Sequence, residues 1–367
     1  MFKRKIPGMV KIFTIEQAVH DFPEMMEQAA VLSQSLDIPW GKEEIQQIVV
    51  LGMGGSSIGG EMAKAVSQKY CVLPVHLIRD EALPAYVNKK TVVIAVSYSG
   101  NTKETLTGFE SAAERTNKIL GISSGGKLKE KCLENRFPYL EIPSGWLPRA
   151  ALPYSFVPLL SVLEKLFLFP EFDTSLKESI EIVKHIRKEL KRFPDEEFEP
   201  SAKLANIDNA AKDLARNLRG KIPVIYAESP LLEPAANRWK CQINENAKQP
   251  AYFQVLPEAY HNDIVGFTAP LPLHSKMAAI FLRESHPEDN QSKGKSTLNF
   301  DKLEFFKKII QSAGIQTFEL FSKGESLPAK LLSLSYFGDY VSLYLAEENQ
   351  VNPEEIQVID QLKKRFV

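Results

Sequence analysis

Apolar residues along this chain follow two alternating rhythms. Short continuous runs such as Ile48 to Leu51 and Val92 to Val96 are bounded by glycine, serine or other turn-forming residues. Runs of that length and flanking read as strands buried on both faces of a parallel sheet. Between them lie longer stretches in which apolar residues recur every three or four positions, the spacing of a helix with one buried face. Ile15, Val19, Phe22, Met26 and Ala29 predict a leading helix over 14–30. Strands are then expected within 46–51, 72–78, 91–96, 117–124 and 137–144, with a closing helix from Leu152 to Leu168. Leu176, Ile180, Val183, Ile186 and Leu190 mark a further amphipathic helix, and FPDEEFEPS (193–201) reads as a charged, proline-flanked linker. The alternation then restarts. A helix over 202–218 precedes a strand within 222–229, and a helix through Trp239 precedes AYFQVL (251–256). MAAIFLRES (277–285), a helix over 300–313, IQTFELF (315–321) and two C-terminal helices follow, with a polar loop at 287–297. Strand and helix in turn predict an α/β fold built on parallel sheets flanked by helices. The restart predicts two domains of like layout, 1–170 and 201–367, joined by a linker helix over 171–200.

The first strand runs into GMGGSSIGGE (52–61). Ser56 or Ser57 is expected to cap a helix beginning near Ile58, so that free backbone N–H groups point beyond the strand end. Gly52, Gly54 and Gly55 let a ligand approach the backbone, and an anion such as phosphate suits the N–H groups. A P-loop is excluded because no lysine follows the glycines. A dinucleotide GxGxxG beginning at Gly52 meets Ser57 at its third glycine. GSSIG (55–59) fits GxSxG, the pattern of a nucleophile elbow, and a turn that merely packs helix on strand is the plainer alternative. SYSGNTKET (97–105) repeats the theme: Ser97, Ser99 and Thr102 offer hydroxyl donors where a helix begins. Alone it would be an ordinary cap. Two such loops at strand ends of one sheet favour a shared anion site, since open sheets bind ligands beyond the carboxyl ends of their strands.

Composition narrows the partners. Lys and Arg number 45 and Asp and Glu 46, so no global field draws the chain to nucleic acid or anionic lipid. Cys71, Cys132 and Cys241 have no CxxC spacing, which points to a reducing compartment without disulfides or a cysteine-held metal. The basic start MFKRKIPG leads into VKIF, too short for a signal-peptide core, and Glu164 and Lys165 interrupt the most apolar later stretch. A cytoplasmic protein is expected. The six histidines show no HExxH or comparable ligand spacing, so no metal or other cofactor is expected.

GMGGSSIGGE and SYSGNTKET resemble the signature of the sugar-isomerase (SIS) domain. In the second half, NENAK (244–248), PEAYHNDIVGF (257–267) and IDQLKKRF (359–366), with PRAALPYS (148–155) before them, resemble the bifunctional phosphoglucose/phosphomannose isomerases. The likeness spans nearly the whole chain, with the motifs in the family's order. It implies two SIS-type domains, each a three-layer αβα sandwich, and isomerisation of glucose 6-phosphate and fructose 6-phosphate, with mannose 6-phosphate as second substrate. By that resemblance the 6-phosphate is held by Ser97, Ser99 and Thr102 with Gly54, Gly55 and Ser56 alongside. Arg149 stabilises the enediolate, Glu245 moves the proton between C1 and C2, and His261 opens the ring with help from Lys363 or its neighbour Lys364. The family's C-terminal threonine has no counterpart in NPEEIQV (352–358). The resemblance also implies a homodimer in which His261 serves the partner's site.

These residue types suit that chemistry. A carboxylate is a usable carbon base once partial burial lifts it toward neutrality, a guanidinium is a permanent cation for enediolate oxygens, and imidazole exchanges protons near neutral pH. Without the resemblance each has an ordinary reading: Glu245 on a solvated face, His261 in a turn, Arg149 in a surface pair, Lys363 on a terminal helix. Two other classes compete. A serine hydrolase would use Ser57 with Asp208 and His261 but leaves SYSGNT idle. A non-catalytic sugar-phosphate sensor would keep the loops and need neither base nor ring opener.

Overall fold

The computed structural model describes residues 13–190, 209–269, 271–284 and 297–366. Contacts divide the chain into two compact units between Phe172 and Asp173. In the first, strands β1 (Gln47–Leu51), β2 (Val75–Ile78), β3 (Thr91–Val96), β4 (Ile119–Ser123) and β5 (Tyr139–Glu141) form a parallel sheet in the order β2-β1-β3-β4-β5. β3 is central, every one of its residues is buried, and its sequence accordingly shows no polar alternation. Val49, Leu51, Val93 and Ala95 face one way, packing with Phe109 and Ala112 of α4 (Lys103–Ala113) and with Leu128 and Cys132 of α5 (Gly126–Glu134). The opposite face carries α3 (Gly55–Tyr70), so close that a Cβ on Gly60 would lie 3.2 Å from Val50 Cγ1. Over α3 lies α6 (Leu152–Lys165), buried continuously from Leu152 to Leu163.

Two local expectations need correction. The leading helix is two helices, α1 (Ile15–His20) and α2 (Phe22–Gln34). Pro23 has no N–H to give a helix interior and is accommodated only in a first turn, so the chain breaks at Asp21 and restarts. The helix after β1 also begins three residues earlier than expected, at Gly55, with Gly54 at φ +54° before it. Neither Ser56 nor Ser57 is its cap.

The second unit opens with α7 (Phe172–Leu190) and α8 (Ala210–Leu218). The linker at 193–201, the start of the helix expected from 202, Asp208, and residues 287–296 of the polar loop lie outside the described residues. β6 (Ile222–Ala227), β7 (Tyr252–Val255), β8 (Met277–Arg283) and β9 (Gln316–Phe321) form a parallel sheet in the order β7-β6-β8-β9. That order repeats β2-β1-β3-β4 of the first sheet, the architectural form of the restart read from the sequence. One face carries α9 (Glu233–Ala247), and the long α12 (Leu327–Glu348) packs on α9 and α8. The other is covered by α11 (Thr297–Ser312), whose Leu303, Phe306 and Ile310 pack with Tyr226 and Phe281. α10 (Asp263–Gly266) is a single turn, and α13 (Gln357–Phe366) is the last helix.

Two charge networks shape this unit. At the carboxyl edge of its sheet, buried Arg283 reaches Glu228, Glu304 and Glu319, while Lys307 bonds Glu304 at 2.9 Å and Glu319 at 2.6 Å. Between α9 and α12, Arg238 donates twice to Asp339, at 3.0 and 2.7 Å, and Gln242 donates at 2.9 Å. Burial pushes the Asp339 carboxyl upward, and Arg238 and Gln242 oppose that push. Beside this pair, Trp239 Nε1 donates to the Leu334 carbonyl at 2.8 Å, where the absence of a side chain at Gly338 admits the indole. Asp339→Ala should therefore take a doubly bonded carboxylate from a buried guanidinium and destabilise the unit by about 3–5 kcal/mol, read by denaturant unfolding.

Candidate active site

In the first sheet the chain steps from β1 outward to β2 and then returns to β3 on the other side of β1. The carboxyl ends of β1 and β3 are therefore the topological switch point, where open sheets form a crevice. Both glycine/serine loops leave from it. They are joined directly: the Tyr98 N–H donates to Ser56 Oγ at 3.1 Å. Ser57 instead donates to the Gly54 carbonyl at 2.8 Å, which ties its hydroxyl into its own turn.

The second loop is braced from within and from behind. Ser97 Oγ and Thr102 Oγ1 lie 2.9 Å apart, and Ser99 Oγ accepts the Asn101 N–H at 3.2 Å. Ser97 is buried, Thr102 half-buried and Ser99 exposed. Thr102 stands at the N-cap of α4, yet its hydroxyl does not bond the helix, so the first α4 N–H groups keep their capacity for another acceptor. Behind the loop, Asn101 Oδ1 accepts the Lys127 N–H at 3.1 Å and the Tyr98 carbonyl accepts both N–H and hydroxyl of Ser124. Gly100, at φ +69°, is pressed so near the Gly125 carbonyl that a Cβ would stand 1.8 Å from its oxygen. The Tyr98 hydroxyl accepts the Trp146 N–H at 2.8 Å and donates to the Pro143 carbonyl at 3.0 Å, and burial holds it up at about 12.

Arg149 belongs to the same assembly. It lies buried in the short helical turn Pro148–Ala150. That turn packs on the first residue of α3: a Cβ on Gly55 would stand 2.5 Å from the Pro148 oxygen and 2.9 Å from the Arg149 nitrogen. Gly55, Ser56, Tyr98, Pro148 and Ser155 line a small recess there. Gly54, Gly55, Ser56, Ser97, Ser99, Thr102 and Arg149 thus gather around one sheet edge in the first unit.

Glu245, His261 and Lys363 belong to the second unit. Glu245 is half-buried in the last turn of α9, inside the helix rather than after it. Its neighbours fix that helix end: Asn244 Oδ1 accepts the Ala251 N–H, and buried Asn246 donates to Ser342. Lys248, in the left-handed region at φ +53°, donates from Nζ to the carbonyls of Glu245 and Asn352, both at 2.7 Å. His261 is exposed, its N–H bonded to the Glu258 carbonyl at 2.9 Å. Lys363 lies on α13, and its side chain and that of Lys364 fall outside the described ones.

Glu245 and His261 sit at opposite edges of the second sheet. α9 leaves the carboxyl end of β6 and returns about 22 Å along its axis before β7 begins. Gln249, just past its end, bonds the carbonyls of Leu218 and Lys221, which immediately precede β6. His261 instead follows β7, at the carboxyl edge, where Asp263 accepts a bond from Tyr226 near the end of β6.

Residues 43–132 match the SIS domain, and residues 207–366 match the bacterial phospho-glucose isomerase C-terminal SIS domain. A bifunctional phosphoglucose/phosphomannose isomerase of Caldicellulosiruptor bescii is 38% identical over 351 residues, 95% of this chain and 98% of that one. The chain belongs to the bifunctional phosphoglucose/phosphomannose isomerase family. A D-glucosamine-6-phosphate 4-epimerase of Sulfolobus acidocaldarius is also 30% identical over 90% of this chain and 92% of its own. Among solved structures, a hypothetical protein of Thermus thermophilus superposes with a TM-score of 0.69 at 17% identity, covering 99% of this chain and 91% of that one, a likeness of fold. Both units are SIS domains, and the enzyme class is that of the isomerases, which sets aside the serine-hydrolase and sensor readings.

Sequence reasoning missed the buttresses: Tyr98, Asn101 against Lys127, and the Lys248 clasp. The Gly125–Gly126 pair after β4 was a legible sign of a third loop at the same edge. Gly55→Ala should push the Pro148–Ala150 turn away and misplace Arg149, lowering turnover of hexose 6-phosphate on the order of 100-fold in a coupled assay.

Proposed function

We propose that this chain is a homodimeric hexose-6-phosphate isomerase that interconverts glucose 6-phosphate and fructose 6-phosphate and accepts mannose 6-phosphate. The observation that carries the reading is the convergence of two glycine/serine loops and a buried arginine on one switch point, held by the contact at Gly55. Ser97, Ser99, Thr102 and the α4 N–H groups receive the 6-phosphate, with Gly54, Gly55 and Ser56 beside it. His261, assisted by Lys363, takes the anomeric hydroxyl proton and protonates the ring oxygen, giving the open-chain aldose. Glu245 removes the C2 proton. The electron pair passes to the carbonyl oxygen, and Arg149 balances the enediolate charge. Transfer of the O2 hydroxyl proton to O1, with return of the carbon-derived proton from Glu245 to C1, gives the ketose. Mannose 6-phosphate differs only at C2, which becomes planar in the enediolate, so both aldoses converge there.

The opposite-edge arrangement of Glu245 and His261 supports a shared site, with His261 supplied by the second copy. The scattered free thiols of Cys71, Cys132 and Cys241 suit a reducing cytoplasm.

Two experiments test this. Ser99→Ala combined with Thr102→Ala should raise KM for glucose 6-phosphate on the order of 100-fold, as expected for two lost hydrogen bonds to a charged group. An unchanged KM would move the phosphate elsewhere, and C4 epimerisation of glucosamine 6-phosphate by the wild-type protein in place of C1–C2 isomerisation would overturn the substrate assignment. For the dimer, Glu245→Gln and His261→Ala homodimers should each be almost inactive. A purified hybrid of the two carries one site with both lesions and one with neither, so it should regain about half the wild-type activity. A stable, properly mixed hybrid that stays inactive would rule out sharing.

A further inference from the structure

His261 stands on an exposed segment, yet that segment is anchored to the sheet. Tyr226, the penultimate residue of β6, is 1% exposed. Its ring stacks on Phe281 at 5.2 Å and meets Phe306 edge-on at 5.2 Å. Its hydroxyl passes beyond these rings and donates to Asp263 Oδ2 at 3.3 Å. Asp263 begins α10, two residues after His261, and its N–H donates to Asn262 Oδ1 at 2.6 Å. On either side of the pair, Tyr260 and Phe267 rest on Phe306 at 5.5 and 6.4 Å. The apolar rings fix the height of the segment above the sheet. They slide easily against one another, whereas a directional hydrogen bond from a side chain with no freedom of its own fixes position along the sheet edge. Burial raises the Asp263 carboxyl and the Tyr226 bond opposes that rise, as expected of a carboxylate drawn inward to meet a donor.

We propose that Tyr226 is a positioning residue for ring opening: through Asp263 it fixes the segment that presents His261. This rests on the reading of His261 as the ring-opening residue. Tyr226 touches no substrate, and its contribution is confined to one step. Phosphate binding and the C2 proton transfer belong to other elements and are untouched by it.

The test isolates that step. In a Glu245→Gln background isomerisation stops, and exchange between the α and β anomers of glucose 6-phosphate, followed by magnetization-transfer NMR, reads ring opening alone. Tyr226→Phe keeps the packed ring and loses only the hydroxyl, and should slow anomer exchange about tenfold or more. Binding of an acyclic phosphosugar acid should not change, which separates positioning from a general loosening of the fold. Asp263→Ala should match Tyr226→Phe, and the pair together should be no slower than either alone, because both remove one interaction. Asp263→Asn keeps an oxygen acceptor and should retain exchange within about threefold of the background, since a neutral hydrogen bond costs little to substitute. His261→Ala in the same background is the control. If exchange survives that change, the assignment of His261 is wrong and the proposal falls with it. If the control loses exchange while Tyr226→Phe stays within about twofold, or if Tyr226→Phe and Asp263→Ala slow exchange additively, the proposal alone is overturned.

Discussion

The carboxyl edge of the first sheet depends on how closely a helix can approach a turn. At Gly55 the start of α3 lies against the Pro148 carbonyl at a spacing that leaves no room for any side chain. That contact lets a chain segment nearly a hundred residues downstream return to the strand ends and bury an arginine beside them. A second contact of the same kind, Gly100 against the Gly125 carbonyl, sets the neighbouring loop on its support. In both places it is excluded volume, more than attraction, that holds functional groups in register. Hydrogen bonds such as Tyr98 to Ser56 then select one arrangement among those the packing allows.

The two sheets share a strand order but not the chemistry of their switch points. Where the first sheet presents hydroxyls and glycines, the second has Glu228 and Glu284 joined by a backbone bond at 2.7 Å and buried Arg283 bridging three carboxylates. A carboxylate-rich edge repels phosphate. The same strand order thus carries a glycine/serine crevice in one unit and an ionic cluster in the other.

Much of this was legible in the sequence because buried parallel strands have a distinctive texture. IVVL and TVVIAV could be read as central strands since neither face tolerates a polar residue, and Ser97, Ser99 and Thr102 could be read as a loop since they follow one. Helix starts were less legible. Serine at positions 56 and 57 has the composition of a cap, but the decisive residue was Gly54, whose positive φ lets the helix begin before either serine. Pro23 was equally informative and was outweighed by a good apolar period on both sides of it. The Arg149 turn against Gly55 was invisible for a different reason. Nothing in one sequence says which glycine is small for flexibility and which is small because a distant carbonyl needs its space.

On the proposed reading, the separation of Glu245 and His261 across one sheet makes catalysis obey mass action between chains. If His261 comes from the second copy, as proposed, the fraction of competent enzyme would follow the dimer equilibrium rather than the amount of folded chain. A copy that lost only one of the two residues would disable one site, no more than its share. A copy that lost both would disable both sites of any dimer it entered, including the one built on a sound partner. A protein built this way is sensitive to its own abundance and to the soundness of its copies.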